Sequence, residues 1–318
     1  MLIAILTLVF AQAQDPKAPT SVAKIMEARD RALVRELDEY TRGNPKAEDL
    51  DLAYFTIFDR ALEHDWYAEV EPIATRYLAE KPEGPSGPVA RFTRAMTRAK
   101  SGKFADGLAE VKLLLNGMDG QEENAFATSA CTTFAGTAID AGEHGIAAQA
   151  YDALGAAFPK AEEVRFLVTE AKARLDLVGK AVPVLSACDD VQGKAVRLGE
   201  YRGKWLLLDF WSASGSHWVE NLPALQTAHA KLKTQGLEIL GVNMGETREE
   251  INDFVQTRKV AWRQVQGASA SAETFAPLHI TTLPANVLID PSGKIVRLDV
   301  RPANLEAVLK GLLETSRK

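Results

Sequence analysis

The chain has 318 residues, 46% hydrophobic and 25% charged, with a net charge of −6. That length is enough for two domains, each with a core. Lysine and arginine are scattered among acids instead of forming a basic run, which argues against nucleic acid as the main partner.

The segment MLIAILTLVFAQAQ opens with an apolar run, Leu2–Phe10, followed by Ala11-Gln12-Ala13. The run is too short to span a bilayer, but its length and A-x-A site match a signal peptide, residues 1–13, cleaved after Ala13. No Lys or Arg precedes the run. The expected product is periplasmic or secreted, with no transmembrane segment after cleavage. A polar spacer, Gln14–Thr20, follows.

Residues 21–178 read as an all-α domain. Ser21–Tyr40 carries apolar residues near a 3.6-residue period and ends at Arg42-Gly43-Asn44-Pro45. Three segments then resemble one another: HDWYAEVEPIATRYLAEKP from His64, GKFADGLAEVKLLLNGM from Gly102 and GEHGIAAQAYDALGAAFP from Gly142. Their starts lie 38 and 40 residues apart, and each follows another helix: Leu50–Leu62, Val89–Lys100 and Asn124–Ala141. The pattern resembles tetratricopeptide-like helical repeats of slightly long period. Small residues at Ala99, Ala109, Ala138 and Ala148 are expected at close helix contacts, with Ala161–Val178 as a last, capping helix. Such an array is either a groove for a protein or peptide partner or a helical spacer.

The composition changes at Gly179. Short β-branched and aliphatic runs predict strands at Ala195–Leu198, Trp205–Trp211, Leu237–Asn243, Asn286–Asp290 and Lys294–Asp299. Helices are expected at Pro223–Gln235, Thr247–Lys259 and Ala303–Thr315. Thr247 with Glu250 forms a capping-box pattern. Residues 179–318 therefore read as a second, α/β domain, a sheet covered by helices.

Four stretches of this domain carry a family resemblance: VGKAVPVLSACDDVQGKAVRLGEYRGKWLLLDFW from Val178, LPAL at Leu222–Leu225, GLEILGVNMGETREEINDFV, and TTLPANVLIDPSGKIV at Thr281–Val296. Their residues and order resemble thioredoxin-like domains of the TlpA/ResA type, exported thiol–disulfide oxidoreductases. In that family a Trp-x-x-x-Cys-x-x-Cys segment places the first thiol at a helix N-terminus, where the dipole and unpaired N–H groups stabilise the thiolate. A second thiol then resolves the mixed disulfide. Counted from Trp211, the two family positions fall on Gly215 and Trp218, in DFWSASGSHWVENLPAL. Both thiols are absent, so the resemblance implies the fold without the family's dithiol reaction. It also implies a buried acid at Asp209, here expected to be satisfied by a hydrogen bond or water, and a cis proline at Pro284. Trp218, Leu283 and Pro284 become candidate peptide-binding residues; Trp218 is either packed inward or exposed as a platform.

The other chemistries are weakly supported. Cys131 and Cys188 fall in different domains and read as two free thiols more readily than as a bridge, although a redox enzyme using either one is the alternative function. Ser214, Ser216 and His217 sit at a helix start without a G-x-S-x-G elbow, so no catalytic residue is assigned. The histidines His64, His144, His217, His229 and His279 lack H-x-x-x-H spacing, and no metal is assigned. No phosphate loop or dinucleotide fingerprint occurs, so no cofactor is expected. The function expected from the residues is an exported thioredoxin-fold protein that binds or scaffolds a protein or peptide without a redox dithiol.

Overall fold

A computed structural model describes residues 21–116, 118, 121–183, 188–267 and 272–315. The expected signal peptide and spacer lie outside the described residues.

Among the described residues eight helices come first: α1 (Val22–Gly43), α2 (Leu50–His64), α3 (Tyr67–Glu80), α4 (Gly87–Lys100), α5 (Phe104–Leu115), α6 (Gln121–Ala141), α7 (His144–Ala157) and α8 (Glu162–Leu175). Ser21 starts α1 by accepting the Lys24 N–H. The three similar turns have one geometry. Asp65, Gly102 and Gly142 each adopt a positive φ after a helix. The next N–H then reaches back five residues: Trp66 to the Ala61 carbonyl, Lys103 to Arg98, and Glu143 to Ala138. This C-terminal motif satisfies orphan carbonyls, and a left-handed residue is its requirement. It explains why glycine recurs at two turns and a short polar aspartate serves at the third.

The helix phase differs from expectation at two alanines. Ala99 and Ala138 are buried, but Ala109 is exposed and Ala148 only half-buried. The close approach falls on Gly107, where a Cβ would meet Phe134 at 2.7 Å and the Ala95 carbonyl at 2.9 Å. Ala147 and Ala150 face inward from α7. A two-residue phase shift turns a helix face by more than half a turn, so small residues alone did not mark the packed side.

By its contacts the chain divides into Met1–Arg94 and Ala95–Lys318, a division that falls within α4. In the first unit Tyr54, Phe58 and Tyr77 form an aromatic centre, with Tyr54 and Tyr77 edge-on at 4.7 Å. The Tyr77 hydroxyl accepts the Ser86 N–H at 3.0 Å, tying the loop after α3 to that core.

The second unit contains the strands β1 (Cys188–Asp189), β2 (Ala195–Val196), β3 (Trp205–Trp211), β4 (Leu237–Asn243), β5 (Arg263–Gln266), β6 (Ala285–Ile289) and β7 (Ile295–Leu298). β1 and β2 form a small hairpin; the main sheet has the order β5-β4-β3-β6-β7. β3, β4 and β5 run parallel, whereas β6 is antiparallel to β3 and β7 to β6. Helices α9 (Ser216–Leu232), α10 (Arg248–Arg258), α11 (Ala272–Phe275) and α12 (Leu305–Thr315) complete the fold. Thr247 and Glu250 form the expected capping box on α10. The architecture is an all-α region followed by a thioredoxin-like α/β domain.

Two strands were not expected. β1 has only two residues, and β5 reads RQVQ, without an apolar run. Gln264 is nevertheless buried in β5, because its Oε1 accepts the Trp211 indole N–H at 2.9 Å. The glycine opposite, Gly241 in β4, makes room for it: a Cβ there would meet Gln264 Oε1 at 2.0 Å. α9 starts at Ser216 and carries Pro223 inside it, seven residues beyond the helix start. The proline ring removes one N–H donor, which made it look like a first helical residue in sequence.

Candidate functional site

The sheet direction positions the site. β3 is buried at every residue and lies at the centre of the sheet. Its C-terminal end pairs Phe210 with Ala285, the first residue of antiparallel β6. Register therefore brings Pro284 to the same end of the sheet as the loop 212–215. The Leu283-Pro284 bond is cis, and both residues are exposed, Leu283 at 41%.

Alternation along β3 puts Trp205, Leu207, Asp209 and Trp211 on one face. Trp205, Leu207 and Trp211 share a core with Trp218, Leu222 and Leu225 of α9. Trp218 is 3% exposed and stacks on Trp211, ring centroids 4.2 Å apart and planes 17° from parallel. Phe254 of α10 lies beside both indoles. The Trp218 Nε1–H donates to Asp209 Oδ2 at 2.9 Å. Trp218 is thus turned inward and is not an exposed platform. Stacking and burial of a large ring outweigh exposure of its polar edge once Asp209 accepts the N–H.

Asp209 is the buried acid expected at this place. Burial pushes its carboxyl up to about 7, and the hydrogen bond from Trp218 acts in the opposite direction. A cavity of about 190 Å³ borders Asp209 and Trp218; Leu222, Pro284, Asn286 and Arg301 also line it. Gly215, where the resemblance leads one to expect the first thiol, is the N-cap residue of α9. A Cβ there would lie 3.2 Å from the Ser212 carbonyl, a tight but adjustable contact.

The loop preceding α9 is held by groups the sequence reading missed. Glu246, after β4, accepts the Ser212 hydroxyl at 2.8 Å, the Ala213 N–H at 3.0 Å and the Ser214 N–H at 3.4 Å through one oxygen. Asn243 donates to its other oxygen and accepts the N–H groups of Gly245 and Glu246. Burial raises the Glu246 carboxyl, but the hydrogen bonds from Asn243, Ser212 and the loop backbone prevail and hold it below the ordinary range. This carboxylate is an anchor, and its lowered affinity for protons makes it a poor base. Ser214 Oγ lies 2.7 Å from Ser212 Oγ. His217 is exposed, and Glu220 lies 3.9 Å from it. The serines and His217 are not brought into a nucleophile–base pair.

The two cysteines are free, Cys131 buried and Cys188 half-buried. Burial pushes the Cys131 thiol up to about 12. Burial, then the charge of Asp189, raises Cys188. Neither environment favours a thiolate.

The end of the sheet beside Pro284 also meets the helices. Arg174 of α8 donates to both oxygens of Asp299, at 2.6 and 2.8 Å, and Asp299 accepts the Asn286 N–H. Asp140 of α6 accepts from the Arg301 backbone and side chain and from Asn304. Among the described residues, no helix is long and apolar enough to cross a membrane.

Residues 178–298 match the AhpC/TSA family model. The thiol-disulfide oxidoreductase ResA of Bacillus subtilis (strain 168) is 27% identical over 110 residues, which is 35% of this chain and 60% of that protein. ResA of Geobacillus thermodenitrificans is 29% identical over 123 residues, 38% of this chain and 68% of that protein. Among solved structures, the thioredoxin domain of a thiol-disulfide oxidoreductase from Bacteroides vulgatus is 27% identical with a TM-score of 0.39, covering 42% of this chain and 96% of that one. The match thus spans about 60% of the length of the B. subtilis relative and lies in the second half of this chain. The C-terminal region thus matches the AhpC/TSA family model and is similar to thiol-disulfide oxidoreductases of the ResA type.

Proposed function

We propose that the chain is an exported thioredoxin-fold protein that no longer exchanges disulfides and acts as a binding or scaffolding module for a protein or peptide. The observation that carries this reading is Trp218. An indole at the second thiol position, stacked on Trp211 and bonded to Asp209, fills the place where a resolving thiol would sit. With Gly215 at the first position, the turn holds no sulfur for either step of exchange.

Peptide binding needs surface and backbone, not sulfur. Leu283 and Pro284 remain exposed beside the cavity at Asp209, and the loop opposite is fixed by Glu246. A preorganised loop lowers the ordering cost of docking an extended peptide against the exposed Leu283. The helical region supplies the second part of the proposal: its three turns of like geometry resemble those of helical-repeat domains, whose surfaces position a partner.

Capture of partners from an exported-protein extract, with wild type and Leu283→Asp compared, tests the binding reading. The same partner retained by wild type and lost by the variant supports it; no partner, or equal retention by both, counts against it. The redox alternative, through Cys131 or Cys188, is tested by the pH dependence of thiol alkylation. Slow alkylation that accelerates only above neutral pH agrees with the raised thiols, whereas a rapidly reacting thiolate at pH 6 would revive the enzyme.

A further inference from the structure

We propose that Asp30, Glu63 and His64 form a divalent metal site, suited to zinc, with at least one coordination position left to water. Asp30 lies on α1, and Glu63 and His64 form the end of α2. The pairing of the two helices brings one donor atom from each side chain to within 4.8 Å of the others. His64 Nε2 already lies 2.8 Å from Asp30 Oδ2.

The donor set is one imidazole and two carboxylates. That combination fits zinc, which takes nitrogen and oxygen donors, better than magnesium or calcium, which prefer oxygen alone. A tetrahedral ion with bonds of about 2.0–2.2 Å holds its ligand atoms roughly 3.3 Å apart. His64 and Asp30 would open by about half an ångström from their hydrogen bond, and Glu63 would swing inward. Glu63 is 53% exposed and has room to move.

Three features favour occupancy. The His64 ring is stacked on Trp66, centroids 4.3 Å apart and planes 15° from parallel, which limits its rotation while Nε2 faces Asp30. His64 and Asp30 are each about one-fifth exposed, so an ion can enter and water can complete its shell. Two carboxylates also converge on one imidazole, and a dication relieves their repulsion. Arg60 is the competitor. It pairs with Glu63 at 2.5 Å and Asp59 at 2.6 Å, and metal binding must release its bond to Glu63. Arg31 adds a nearby positive charge, but it pairs with Glu69 and Glu27 and lies over Trp66.

Zinc chloride titrated by calorimetry into the full chain, pretreated with chelator, tests the site. One saturable equivalent is expected, lost in Asp30→Asn and His64→Gln and weakened in Glu63→Gln. Arg60→Gln should bind zinc more tightly, since it frees Glu63. Zinc should raise the melting temperature of wild type and not of His64→Gln. Circular dichroism of each variant confirms folding, and the exposed Glu63 variant keeps the test valid if the other two unfold. No saturable binding, unchanged binding in all three ligand variants, or loss of binding in Cys188→Ala instead would overturn the proposal.

Discussion

At the scale of residues, Asp209 and Trp218 hold the altered site together. Trp218→Ala removes the stacked indole and the donor to a buried carboxyl at once. We expect it to cost about 3–5 kcal/mol in denaturant unfolding, the usual range for truncating a buried aromatic. The pH dependence has a definite sign. The Asp209 carboxyl is raised from 3.8 to about 7 in the folded protein, so the folded state holds this proton more tightly than the unfolded chain. Stability from this group is full below about pH 4 and is lost as pH rises to about 7. Asp209→Asn cannot ionise and keeps an oxygen that can accept from Trp218. Unfolding measured at pH 5 and pH 8 should show a smaller decline for this variant than for wild type; an equal or larger decline would exclude the raised acid. The inward or outward choice for Trp218 was open in the sequence, and the structure places the ring inside. The bond between Asp209 and Trp218 was not legible, because it depends on how a strand, a loop and a helix fold back over nine residues.

At the scale of elements, the loop 212–215 is fixed from outside itself. Glu246 comes from beyond β4, more than thirty residues along the chain, and no local pattern marks it as the loop's anchor. Glu246→Ala leaves the Ala213 and Ser214 N–H groups without their carboxylate. We expect a loss of about 1–3 kcal/mol and faster hydrogen exchange at those amides. Because the folded Glu246 pKa is lowered, its contribution is present above about pH 4.5 and falls away as the medium is acidified below that. The N-terminus of α9 carries Gly215 as its N-cap and holds no thiol. Gly215→Cys would place sulfur there, and we expect its thiol to titrate below Cys188, because the helix end favours a thiolate and the burial around Cys188 does not. Alkylation rate against pH, in a Cys131→Ala, Cys188→Ala background and in its Cys188 counterpart, gives the comparison. The helix positions were legible from apolar period and turn residues, whereas the packed face of α5 was not: Gly107, not Ala109, meets Phe134.

At the scale of the whole molecule, the change from helices to strands near Gly179 was visible in composition, but the ties that cross it were not. Arg174 to Asp299 and Asp140 to Arg301 join residues 125 and 161 positions apart, and charged residues so distant carry no pairing signal in one sequence. Residues 179–318 alone would lose both contacts. We expect that fragment to melt lower than residues 95–318, with Arg174→Met moving the longer fragment part of the way. Equal melting temperatures would show that the ties contribute nothing.

On the proposed function, the domain keeps a thioredoxin-like fold without disulfide exchange. Dithiothreitol-driven reduction of insulin disulfides tests it most directly, with wild type beside the Cys131→Ala, Cys188→Ala double variant. We expect both proteins to leave the rate at the dithiothreitol background. Insulin reduction by wild type that disappears in the double variant would contradict it.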